Sequence, residues 1–145
     1  MVDVTRIDKI TRNDKAVQKK AAYSDFYTNF NVHPQNKQLA KYTNENSVKR
    51  SVRNLILTEP GERLFQPDIG CKIRSLLFEN MNSVTALQLQ NTIEETIKLH
   101  EKRARIISVE VIPNEDTHAY DVYIIFEVIN SITPVALNIT LYRAR

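Results

Sequence analysis

Glycine is nearly absent from this chain, with two in 145 residues, Gly61 and Gly70. They stand nine apart with no Gly-Lys-Ser/Thr after either. A glycine-rich dinucleotide loop, a phosphate-cradling loop and a collagen-like repeat all need more glycine at closer spacing, so all three are excluded. There is no tryptophan, and cysteine occurs once, as Cys71. A lone cysteine closes no intrachain disulfide, and with the scattered His33, His100 and His118 it offers no zinc spacing. The expectation is an intracellularly assembled protein with no structural metal and no cofactor. No apolar run approaches the ~20 residues of a membrane-spanning helix, and the opening MVDVTRIDKI lacks the apolar stretch of a signal peptide. Neither membrane insertion nor secretion by that route is expected.

What the chain does contain is enough apolar residue, 42%, for one core. A domain of this length buries roughly two thirds of its unfolded surface, so no staple is needed. Charge is uneven. Residues 1–50 carry ten Lys/Arg against five Asp/Glu, and residues 51–145 carry ten against twelve. The chain therefore divides into a basic N-terminal arm, 1–44, and a slightly acidic body, 45–145. Acids interleave with the bases of the arm at Asp3, Asp8 and Asp14, which weakens a phosphate-binding footprint, and no specific nucleic acid partner is expected. Tyr23, Phe26, Tyr27 and Phe30 form an aromatic cluster with only Lys19 and Lys20 as nearby bases. It reads as an extended segment whose rings dock on the domain's own core or on a partner.

From Asn46 onward the hydrophobic period is helical. Asn46 or Ser47 can cap a helix with Val48, Val52, Leu55 and Ile56 on one stripe, ending near Thr58 because Pro60 disfavours helical backbone at Glu59. Residues 59–71, EPGERLFQPDIGC, read as a loop of fixed course. A helical turn over Ile73 to Phe78 offers Ile73, Leu76 and Leu77 to the core. Asn82 or Ser83 caps a longer helix to about His100, with Ala86, Leu89, Ile93 and Ile97 on its buried face. The period then falls to two. Ile107, Val109 and Val111 form one strand, ended by Pro113 and Asn114. Tyr120 to Val128 form a second, apolar on both faces at its middle and so central, and Val135 to Leu141 a third. Short connections make them antiparallel. The fold class is α+β, with helices packed on one face of a three-stranded antiparallel sheet preceded by an extended basic N-terminal arm.

Three segments, in order, resemble the baseplate wedge family of contractile-tailed phages. These are the loop Thr58 to Gly70 with Gly61, Arg63, Phe65, Pro67, Asp68 and Gly70; the run Leu77-Phe78-Glu79-Asn80-Met81; and Glu101-Lys102-Arg103 at the end of the long helix. The last departs from the family's Glu-Pro-Arg by a lysine in place of proline, which keeps the carboxylate and guanidinium at the same spacing. The family includes a small wedge subunit once labelled lysozyme-like and the sheath-initiating baseplate part of type VI secretion systems.

The resemblance implies a structural part and not an enzyme, held in the tail baseplate of a virion assembled in the host cytoplasm. It implies multiple copies in a six-fold baseplate, with wedge core proteins and the tail sheath protein as partners. Glu101, Lys102 and Arg103 would meet the wedge core bundle. The last strand, at Asn138, Ile139, Thr140 and Leu141, would offer the edge that templates sheath assembly, since a three-stranded sheet leaves two unpaired edges. Read without the family, Glu101 and Arg103 are charges at a helix end, and Arg63 pairs with Asp68 or caps carbonyls. The rival functions are a peptidoglycan-degrading lysozyme-like enzyme using Glu59, Glu62 or Asp68, and a sheath-initiating type VI part. The first lacks an indole platform, and Arg63 keeps the loop carboxylates charged.

Overall fold

The computed structural model describes residues 22–27, 29–35, 37–129, 131 and 133–143. The reading of residues 1–21 as part of a basic arm lies outside them. Among the described residues eight elements follow in order: β1 Ser24–Phe26, β2 Lys41–Thr43, α1 Glu45–Leu57, α2 Ile73–Leu77, α3 Ser83–His100, β3 Ala104–Asn114, β4 Ala119–Val128 and β5 Pro134–Tyr142. The last three form an antiparallel sheet in the order β3-β4-β5, with β4 central as its two-faced apolar pattern requires.

One face of that sheet is the core. Tyr120, Val122, Ile124, Phe126 and Val128 of β4 are buried with Val109 and Val111 of β3 and Leu137, Ile139 and Leu141 of β5. Against them lie Val48, Val52 and Ile56 of α1 and Ala86, Leu89, Ile93 and Ile97 of α3, the two stripes their helical spacing predicts. Cys71 is enclosed beneath α3, where the Thr96 hydroxyl donates to its sulfur at 3.4 Å, and burial pushes its thiol pKa up. Asn82 caps α3, its side chain accepting from the Thr85 N–H at 2.7 Å. Among the described residues no helix is long and apolar enough to cross a membrane, and no group of three or more His, Cys, Asp or Glu could hold a metal ion.

Three details depart from the sequence reading. The N-cap of helix α1 is Asn44, ahead of Asn46 and Ser47. Asn44 has φ 50°, its N–H donates to the Tyr23 carbonyl at 2.8 Å, and its side chain accepts from the Ala22 N–H at 2.9 Å. It is thereby the corner where the aromatic segment turns into the helix.

That segment is also more folded than an extended arm. β1 pairs antiparallel with β2, Val32 bridges Leu39, and the Tyr27 and Tyr42 rings lie 4.0 Å apart. Tyr23 packs on the core and its hydroxyl donates to the Ile129 carbonyl at 3.4 Å, whereas Phe26 and Phe30 stay exposed.

Ile107, expected inside, is 53% exposed. The β3–β4 register shifts between Ile106 and Ser108, so Ile107 is the extra residue of a bulge and Ile106 packs against the core in its place.

Candidate functional site

The loop 59–70 is pinned from within. The Gly61 N–H donates to the Pro67 carbonyl at 2.8 Å, the Gln66 N–H to Arg63 at 3.2 Å, and the Cys71 N–H to Thr58 at 2.9 Å. Glu59 pairs with Arg74 at 3.0 Å, and the Glu62 carboxylate accepts from the Glu59 N–H. Gly61 takes φ 95°, facing open space. Gly70 takes φ 151°, and a Cβ there would stand 2.7 Å from the Pro60 nitrogen and the Thr58 oxygen. Only glycine allows the returning strand of the loop to touch the end of α1. The tip carries Leu64 and Phe65, 91% and 97% exposed, with Arg63, Pro67 and Asp68 also exposed. Arg63 makes no ion pair with Asp68 or any other carboxylate among the described residues.

Glu101 closes α3, its N–H bonded to the Ile97 carbonyl, and is 5% exposed. Its carboxylate takes two parallel bonds from Arg103, at Nε and Nη2, both 2.7 Å. A third comes from the Ser51 hydroxyl of α1 at 2.5 Å. Burial alone pushes the Glu101 pKa up; the Arg103 guanidinium and the Ser51 hydroxyl outweigh it and hold the carboxyl below the usual glutamate range. The bond to Glu101 holds Arg103 above its ordinary value, and its guanidinium stacks over the Tyr23 ring at 5.5 Å. The motif's two charged ends are therefore an internal clamp joining α1, α3 and the aromatic segment. Lys102 between them is exposed.

Loop and helix end meet. Arg63 and Ile69 line one cleft of about 390 Å³ with Ser51, Leu55, His100, Glu101, Lys102 and Arg103. Pro60, Pro67, Asp68 and Gly70 line a second with Leu99 and His100 of α3. Two segments forty residues apart thus share one face, and Phe65 of the same loop is exposed. Ser51 and Tyr23, which hold the clamp, carry no local sequence signal, since they reach it from fifty and eighty residues away.

Asn138, Ile139, Thr140 and Leu141 lie on β5, an edge of the sheet, and line neither of those two clefts. Ile139 and Leu141 point into the core. The Arg143 N–H donates to the His118 carbonyl at 3.0 Å, and the register continues unbroken from Ala119 opposite Tyr142. In an antiparallel ladder bonded and unbonded pairs alternate, so Leu137, Ile139 and Leu141 bond inward to β4. The backbone groups of Ala136, Asn138, Thr140 and Tyr142 point outward to an edge that no strand covers among the described residues.

A helix-backed, three-stranded antiparallel sheet with a pinned loop beside its long helix defines a small α+β domain of distinct type. The sequence profile of the family described as baseplate wedge protein gp25 matches residues 43–133. The chain belongs to that family. It is 35% identical over 96 residues to baseplate wedge protein gp25 of Enterobacteria phage T4, covering 66% of this chain and 73% of that one. Among solved structures it is similar to a candidate tail lysozyme from Geobacter sulfurreducens, with TM-score 0.65 and 28% identity over 70% of this chain and 92% of that chain. Its fold also matches a chain of the anti-feeding prophage baseplate at TM-score 0.59 and 24% identity, covering 85% and 86%. A chain of the type VI secretion baseplate complex matches at 0.57 and 18%, covering 68% and 93%.

Proposed function

We propose that this chain is a structural, non-enzymatic component of a contractile phage tail baseplate, which binds the wedge core proteins and templates assembly of the tail sheath. It sits in the virion baseplate in several copies around a six-fold axis, after assembly in the host cytoplasm. The observation that carries this reading is the convergence of the two family motifs, 61–70 and 101–103, on one face of a chain whose family is that of a baseplate wedge protein.

The wedge contact is made by the exposed members of the two motifs, Arg63, Phe65 and Lys102, while Glu101 and Arg103 hold the helix end in shape. The sheath contact is made by the outward backbone groups of β5, which add a strand of the sheath protein. Proline at Asn138 removes an outward N–H and no bond to β4, so the domain stays folded. Sheath polymerisation on isolated baseplates carrying Asn138→Pro should fail; normal sheath growth would overturn the strand-addition part. Co-purification with wedge proteins should be lost in Phe65→Ser/Lys102→Glu, and unchanged recovery would overturn the wedge part.

The tail-lysozyme description of one structural neighbour favours a second reading, hydrolysis of peptidoglycan. Retaining or inverting glycosidases need two carboxylates about 5 to 10 Å apart across a cleft, one of them kept protonated by an apolar setting. Here Glu59 is paired with Arg74, and Glu62 and Asp68 are exposed. Incubation with peptidoglycan should release no reducing ends from either wild type or Glu62→Gln.

A further inference from the structure

The open edge of β5 is the floor of a trough whose two ends differ. Helix α1 overhangs it. At the Leu137 end the wall is a hollow of about 180 Å³ lined by Tyr42, Asn46, Lys49, Arg50, Arg53 and Leu137. Lys49, Arg50 and Arg53 form no ion pair among the described residues, although Arg50 lies over the Tyr42 ring at 5.3 Å. The one carboxylate on that helix, Glu45, is occupied by the Ser131 and Thr133 hydroxyls, which hold its pKa down.

At the Leu141 end the hollow is about 310 Å³, and its apolar lining includes Ile56, Leu57, Leu77, Leu141 and Tyr142. The charges there are Glu59 and Arg74, paired with each other, and Glu62.

A strand added to β5 lies ~4.8 Å beyond it, and its residues opposite Leu137, Ile139 and Leu141 share their face, under α1. The first of those positions meets three cations, and the last meets apolar side chains with Glu62 close by. Resting on the strand-addition reading, we infer that the β5 edge selects an extended protein segment with an acidic residue opposite Leu137 and a large apolar residue opposite Leu141, four positions apart. Glu62 repels an acid at the wrong end, so the same charges set the direction in which the segment lies.

The test uses the full chain, isotope-labelled, titrated with two end-blocked ten-residue peptides of alternating sequence that carry Leu at the apolar position. They differ only in Glu or Lys at the position aligned with Leu137. Amide shifts should appear at Ala136, Asn138 and Thr140, with the Glu peptide bound about tenfold more tightly than the Lys peptide. Lys49→Glu/Arg53→Glu, at a half-buried and an exposed position of α1, should invert that preference, and Asn138→Pro should abolish binding of either peptide. Equal affinity for the two peptides, still lost in Asn138→Pro, overturns the charge selection and leaves strand addition standing. Binding of neither peptide overturns strand addition itself. A single-stranded oligonucleotide that binds the wild type more tightly than the Glu peptide, and is released by the charge reversal, makes the patch a nucleic acid footprint and overturns the inference.

Discussion

Glu101 and Ser47 are both buried polar side chains, and their partners give them opposite weights. Glu101 accepts from Arg103 twice and from Ser51, so truncation to alanine leaves a half-buried guanidinium without its counter-charge. Breaking such a pair is expensive, and because Arg103 keeps part of its surface in water the expected loss is about 2 kcal/mol, read from urea denaturation. The lowered Glu101 pKa fixes the sign of the pH dependence. Its contribution is full above the ordinary glutamate range and is lost as pH falls through the lowered value, so the acid limb of stability should flatten in Glu101→Gln. Ser47, 1% exposed in α1, has a hydroxyl with no hydrogen-bond partner among the described residues. Replacing it with alanine removes an unpaired polar atom and improves helix propensity, and should raise stability by about 0.5 to 1 kcal/mol in the same assay.

At the scale of elements, the loop 59–70 holds both glycines for different reasons. Gly61→Ala meets open space and should cost only the left-handed backbone, about 1 kcal/mol. Gly70→Ala drives a Cβ into the backbone of Thr58, Glu59 and Pro60 and should cost more than Gly61→Ala, about 3 kcal/mol, with the difference visible as a lower melting temperature. Phe65, at the tip of the same loop, is 97% exposed, so Phe65→Ser should leave stability within about 0.5 kcal/mol while removing the contact proposed for it. The strands show the opposite balance between local pattern and context. Ile106 and Ile107 are adjacent and both apolar, so either could face inward by composition; pairing with β4 decides, and the bulge sends Ile107 out.

For the molecule as a whole, burial is graded from β4 outward. The central strand has both neighbours and six buried residues, whereas the β1–β2 ladder is three residues deep and mostly exposed. Amide exchange should be slowest in β4 and fastest in β1 and β2, measured by hydrogen exchange with mass spectrometry. The three helices and the strands β3 to β5 were legible because each is written locally, whereas the short β1–β2 pair was read as an extended arm. The 3.6-residue stripes of α1 and α3, the Asn82 cap and the period-two run through Tyr120 to Val128 depend on near neighbours alone. The site was legible as motifs and not as a place. No spacing along the chain says that Arg63 stands beside Lys102, that Ser51 and Arg103 turn Glu101 inward, or that Tyr23 supports the clamp. Nor does it say that Lys49, Arg50 and Arg53 border the free edge of β5.

By itself, the sequence determined the order of the three helices and of the three strands of the main sheet, the helix stripes and the two glycine corners, since backbone preference and hydrophobic period act over a few residues. Only tertiary structure decided which of the charged residues are internal and which face outward. A carboxylate's partners are chosen by packing, and packing brings together residues that the chain itself holds far apart.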